Sequence, residues 1–162
     1  AFGMADAGFE FIDPGSGGAL SGAMGEAINK EEGWFGYYWG PTAILGKYPM
    51  VKLDEGVDHN FDTWMSEIND LNVEAPGRNK YPASTVETYV GSDMLDNYVV
   101  MNYLEKRSFP NTLLSQLLAW KDSEQAEAEE AAEYFLINNE DVWKSWTSSD
   151  ARLKIKEELG MM

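Results

Sequence analysis

The sequence predicts an α/β fold, a small sheet flanked by helices up to about residue 88, followed by an all-helical portion over residues 89–162. Three observations carry this expectation. Short β-favouring runs, alternating or aromatic, fall only in the first part: Phe9–Ile12, Trp34–Trp39, Met50–Leu53 and Thr85–Val90. Apolar residues at helical spacing fill the second part. Glycine and proline punctuation separates the runs, most sharply at Gly40-Pro41, where a residue without an N–H donor must end a strand.

Taken in order, Ala1–Gly8 reads as a frayed end or linker, and Phe9–Ile12 as a short strand. Asp13-Pro14-Gly15-Ser16-Gly17-Gly18 is a turn in which Ser16 suits the N-cap position. Leu20, Ala23, Met24, Ala27 and Ile28 then mark one face of a helix that Gly33 closes. The aromatic run Trp34–Trp39 follows as a strand, then a short apolar segment Thr42–Leu45, a break at Gly46-Lys47, and a strand at Met50–Leu53. Phe61, Trp64, Met65, Ile68 and Leu71 keep partial helical spacing before a loop over 72–81. Thr85–Val90 alternates and is bounded by Gly91, so it reads as the last strand.

Ser92 or Asp93 caps the next expected helix, which carries Leu95, Val99, Val100 and Tyr103. Pro110 suits the first turn of another, with Leu113, Leu114, Leu117, Leu118 and Trp120 on its buried side. A third runs from about Gln125 to Trp146, with Ala128, Ala131, Ala132, Phe135, Val142, Trp143 and Trp146 facing inward. Glu127, Glu129, Glu130 and Glu133 in its first turns suit the helix dipole and read as a solvated face. Ser149 or Asp150 caps a last helix ending near Gly160.

Composition excludes several functions. The 162 residues carry a formal net charge of −16, the wrong sign for nucleic acid or for an anionic membrane surface. No apolar stretch nears the ~20 residues that span a bilayer. With no cysteine there is neither a disulfide framework nor a thiolate metal site.

Catalytic chemistry finds little support. His59 is the single histidine, and no nucleophile elbow accompanies it. Asp54, Glu55, Asp58, His59 and Asp62 cluster in sequence as a divalent-cation site would need, but they lack an EF-hand's spacing and its glycine, and an acidic loop in an acidic chain accounts for them better. Nothing marks a cofactor site. Gly15-Ser16-Gly17-Gly18 ahead of a helix either simply starts that helix or offers backbone N–H groups to a carboxylate, with Ser16 and Gly17 the residues in contact. The rings of Trp34, Tyr37, Tyr38 and Trp39 fit an ordinary core and rim, or a contact surface at a strand end. Alternation puts Tyr37, rather than Tyr38, on the side of Trp39. Trp64, Trp120, Trp143 and Trp146 fall on helical spacing and read as packing residues.

The stretch GWFGYYWGPTAILGKYPMVKL, residues 33–53, resembles a segment of the substrate-binding proteins of glycine betaine/proline-type ABC transporters, with its YYW-x-PT and KY elements. Phe11 to Leu20 resembles that family's strand-to-helix turn. Pro110–Trp120, Glu130–Leu136 and Asp141–Trp143 are similar to its C-terminal helices. The likeness touches nearly the whole chain and covers the rear half of the family's protein, so any export signal and most other walls of the binding box are expected upstream.

The resemblance implies a lobe of the type II periplasmic-binding-protein kind over residues 1–88, and over 89–162 a helical part of the other lobe. It implies an extracytoplasmic, non-enzymatic component that binds a quaternary amine in an aromatic box and delivers it to a membrane permease. Trp39 matches a box wall residue for residue; Tyr37, Tyr38, Pro41 and Thr42 accompany it. A binder of another small solute (a sugar or an amino acid), a metal-dependent hydrolase built around His59, and a homodimer or segment-exchanged assembly are the other readings of the same residues.

Overall fold

The computed structural model describes residues 3–162, and helices are the regular elements among them. No strand forms among the described residues, which overturns the expected α/β lobe with its small sheet. The four runs with β-favouring composition instead carry no regular structure. Their apolar side chains face water: Phe11 is 89% exposed and Val86 is 94% exposed. β propensity is largely a fit to a pleated, half-buried surface, so without a partner strand these residues gain nothing from pairing.

In the first part, α1 (Gly17–Asn29) begins where Ser16 Oγ accepts the Ala19 N–H at 3.1 Å. It ends earlier than Gly33: Glu31 adopts the left-handed conformation (φ 57°). The N–H of Glu32 reaches Ala27 O at 2.8 Å and that of Glu31 reaches Ile28 O at 3.0 Å, a Schellman closure without glycine. Met24 is fully buried on this helix, whereas Ala23, expected on the same face, is exposed.

The break expected at Gly46-Lys47 lies inside a helix, α2 (Ala43–Lys47). Further on, Asn60 Oδ1 caps α3 (Phe61–Thr63) through the Thr63 N–H at 2.8 Å, and the helix widens into a π turn over Trp64–Ile68. After a 3-10 turn at Ser92–Met94, the cap expected at Ser92 or Asp93 belongs to Asn97. Its side chain accepts the Val100 N–H at 3.3 Å and starts α4 (Tyr98–Lys106), leaving Leu95 outside.

Pro110 precedes α5 (Asn111–Glu124), which stops at Gln125 in the left-handed region (φ 54°). The long helix expected from Gln125 to Trp146 is therefore two. A capping box between Glu127 and Glu130 opens α6 (Ala128–Asn138), and α7 (Glu140–Trp143) follows a break at Asn139. Ala128 and Ala132 are exposed rather than inward-facing. Ser148, one residue before the expected cap, starts α8 (Ser149–Glu158) by accepting the Ala151 N–H at 3.2 Å. Gly160 closes it with φ 64°.

The chain divides into two units: Ala1–Glu32 with Val51–Val86, and Gly33–Met50 with Glu87–Met162. In the first, the loop 54–60 is tied to residues 78–80 by polar bonds. Buried Asn79 does most of this, its Oδ1 accepting the Asn60 N–H at 3.0 Å and its Nδ2 donating to Asn60 O at 2.8 Å. That reciprocal pair imitates one rung of a ladder.

The second unit holds an aromatic core of Phe135, Trp143 and Trp146, with Tyr103, Phe109, Leu113, Leu117, Leu136, Val142 and Ile155 packed around it. Trp143 is 1% exposed, and its indole N–H donates to Leu136 O at 2.8 Å. Burying a ring of this size with its polar atom satisfied is among the larger single contributions a side chain makes. Trp120, stacked on Tyr134 at 3.9 Å, joins α5 to α6 at the edge of this core.

Candidate functional site: an exposed aromatic cluster seated on helix α5

The residues before α2 form an aromatic cluster in the second unit. Tyr38 and Trp39 stack with centroids 4.8 Å apart and 18° between planes, and Tyr37 lies 6.1 Å from Trp39 at 34°. The indole is 47% exposed and Tyr37 is 52% exposed, while Tyr38 is half-buried. Strict alternation would have kept Tyr38 away from Trp39. Since this segment is no strand, the backbone turns adjacent rings onto one another, and both tyrosines flank the indole.

What fixes the cluster lies just downstream. The Gly40-Pro41 peptide is cis, and Pro41 and Thr42 are half-buried. The Thr42 N–H donates to Ser115 Oγ of α5 at 3.2 Å, across 73 residues of sequence. Ser115 is 5% exposed. Helix α2 sits directly on α5, and Gly46 makes the approach possible: a Cβ at that position would overlap the Ser115 carbonyl. Such backbone-to-backbone contact is open only to glycine. Thr42 Oγ1 is buried with no hydrogen-bond partner in the protein.

Sequence reasoning placed Trp39, Tyr37, Tyr38, Pro41 and Thr42 in one site, and the structure keeps those five residues in one segment of the second unit. It missed Ser115 and Gly46. The available signal was a small polar residue set among Leu113, Leu114 and Leu117, where an apolar stripe has no use for a hydroxyl.

Ser16 and Gly17 belong to the first unit. Both are exposed; Ser16 is engaged as the cap of α1, and the adjoining Asp13 Oδ1 accepts the Gly15 N–H at 2.8 Å. His59 also lies in that unit. Its Nδ1 donates to Lys80 O at 2.9 Å, and its ring is 5.7 Å from Trp64. The Gly56 N–H and then the Lys80 ammonium, 3.3 Å away, hold the Asp54 carboxyl below its usual range. Among the described residues, no three His, Asp or Glu side chains converge as a metal ion would require.

The protein's own cations already cover some rings. Lys47 lies 5.7 Å from the Tyr48 centroid and Arg107 lies 5.9 Å from that of Tyr103. A groove of about 200 Å³ between α5 and α6 is lined by Leu113, Gln116, Leu117, Tyr134, Asn138 and Asn139, none of them among the predicted site residues.

The indole is thus half-exposed beside two tyrosines, on a segment seated on α5. The chain belongs to the family of substrate-binding domains of ABC-type glycine betaine transport systems, which matches residues 1–138. No curated protein matches it significantly. The family is one of extracytoplasmic solute-binding components of ABC importers, which serve a permease and are not enzymes. Among the described residues, no helix is long and apolar enough to cross a membrane.

Proposed function

We propose that this chain binds glycine betaine or a closely related quaternary amine against the exposed side of Trp39 and delivers it to its permease. The observation that carries this reading is the ring geometry: Tyr38 backs the indole at 4.8 Å and Tyr37 stands beside it at 6.1 Å, with the indole about half-exposed. A trimethylammonium group has no N–H to donate. It is held by ring quadrupoles and by burial of its methyl groups, each ring supplying ~0.5–2 kcal/mol.

Isothermal titration with glycine betaine and with 3,3-dimethylbutanoate tests the proposal. The second compound has the same shape and carboxylate, with carbon in place of the cationic nitrogen. The proposal expects saturable binding of the betaine, at least tenfold weaker binding of its carbon isostere, and loss of the betaine signal in Trp39→Ala. Equal affinity for both compounds removes the cation–π reading. A response to sugars or amino acids alone reassigns the solute.

A further inference from the structure

We infer that the groove between α5 and α6 is a second binding site, separate from the aromatic cluster, and that it takes one unit of a neutral polyhydroxy compound, a monosaccharide or a cyclic polyol.

The lining selects the class of ligand. Leu113, Gln116, Leu117, Tyr134, Asn138 and Asn139 form the groove; three of them are carboxamides and none is charged, in a chain whose formal net charge is −16. An ion would lose hydration there without meeting a counter-charge. A carboxamide sets a carbonyl acceptor beside N–H donors, which matches two neighbouring hydroxyls, each able to give and to take a bond. Two of the amides are already fixed. Asn138 Nδ2 donates to Tyr134 O at 2.8 Å, and Asn139 Nδ2 donates to Phe135 O at 3.2 Å, each one turn back on α6. Both keep the carbonyl oxygen and a second N–H for another partner. The backbone beneath them is anchored too: Asn139 O accepts the Val142 N–H at 3.0 Å, and Leu136 O accepts the indole N–H of buried Trp143. Amides held in this way lose little freedom on binding. Gln116, exposed on α5, lines the groove from the facing helix. Leu113, Leu117 and the Tyr134 ring, which Trp120 backs at 3.9 Å, offer apolar area to the C–H face of a sugar ring. The volume of about 200 Å³ holds roughly seven waters at ~30 Å³ each, room for one six-membered ring with its hydroxyls. The carboxyl end of α6 carries partial negative charge, which makes a primary ammonium the competing ligand.

The experiment is a heteronuclear NMR titration of the whole chain, read at the side-chain amides of Gln116, Asn138 and Asn139 and at the Trp39 indole. Glucose and myo-inositol are the probes. Methylammonium chloride and acetamide, at matched ionic strength, represent the cationic and the simple amide alternatives. Saturable shifts of the three amides are expected with glucose or myo-inositol, while the Trp39 indole stays still. Gln116→Leu and Asn138→Ala should each weaken that binding about fivefold, as loss of one hydrogen-bonding group does, and Trp39→Ala should leave it intact. Absence of saturation with both polyols overturns the inference. So does equal or tighter binding of methylammonium or acetamide, or an undiminished response in both groove variants. A sugar response that disappears in Trp39→Ala belongs to the aromatic cluster and likewise overturns it. Glycine betaine, titrated in the same samples and read at the Trp39 indole, tests the first site independently of the second. Should Asn138→Ala fail to fold, Gln116→Leu, at an exposed position, carries the comparison.

Discussion

Two aromatic regions of this protein use the same residue types to opposite ends. Around Phe135, Trp143 and Trp146 the rings come off helical segments at spacings that bring them to one side, and they are almost wholly buried. Between Trp34 and Trp39 the rings follow one another with only Gly36 between, on backbone that belongs to no regular element, and Phe35, Tyr37 and Trp39 remain about half-exposed. The contrast shows that burial follows from spacing on a regular element, not from aromaticity. A ring without such an element is left to stabilise something other than the fold.

The largest expected effect separates the two regions directly. Trp143→Ala should cost about 3–5 kcal/mol of stability in a denaturant titration, from lost burial and an orphaned Leu136 carbonyl. Trp39→Ala should cost less than about 1 kcal/mol and act on ligand binding instead. Comparable losses of stability would erase the distinction. Next comes the seat beneath the exposed cluster: Gly46→Ala forces a methyl group into the Ser115 carbonyl and should cost about 1–3 kcal/mol. A melting temperature unchanged by that substitution would mean that α2 is not seated on α5 in solution.

Smaller effects come from the helix ends. Glu31 and Gln125 both hold left-handed conformations where glycine is at ease, so Glu31→Gly and Gln125→Gly should each add about 0.5 kcal/mol, read as a small rise in midpoint. The smallest is a pH effect in the helical region. The Lys156 ammonium, 2.8 Å from Glu140, holds that carboxyl below its ordinary value of 4.5. A lowered carboxyl contributes stability that is complete above that value and fades as pH falls through the folded-state value. Glu140→Gln should therefore flatten the fall in stability on acidification, by lowering stability slightly near neutrality and leaving it little changed at low pH.

Much of the helical part was legible in the sequence because its signals are local. Caps, leucine spacing and the left-handed closure near Gly160 each act within a few residues, and Ser16 capped its helix as read. The failures have one physical source. Val86, Tyr89 and Phe11 have the composition of strands, but a strand exists only if another chain segment supplies its hydrogen bonds, and no local pattern states whether one does. The same ignorance of distant partners hid Ser115, whose role depends on a backbone N–H 73 residues away. Capping boxes set a further limit: helical spacing runs straight through Glu127 and Asn139, although the chain turns at both. At the aromatic site, residue identity was readable and ring arrangement was not, since Tyr38 lies on Trp39 only because the backbone there is not pleated.

The clasp made by Asn79 has a consequence for the ageing of the molecule. Its amide donates with one atom and accepts with the other, so hydrolysis to an aspartate would turn the donor into a second oxygen facing the Asn60 carbonyl. A chemical change of a single mass unit would put a negative charge into a nearly dry pocket and open the join between residues 60 and 79. Shelf life, tracked by mass spectrometry alongside native-gel mobility, would then depend on an atom far too small to alter the shape of the protein.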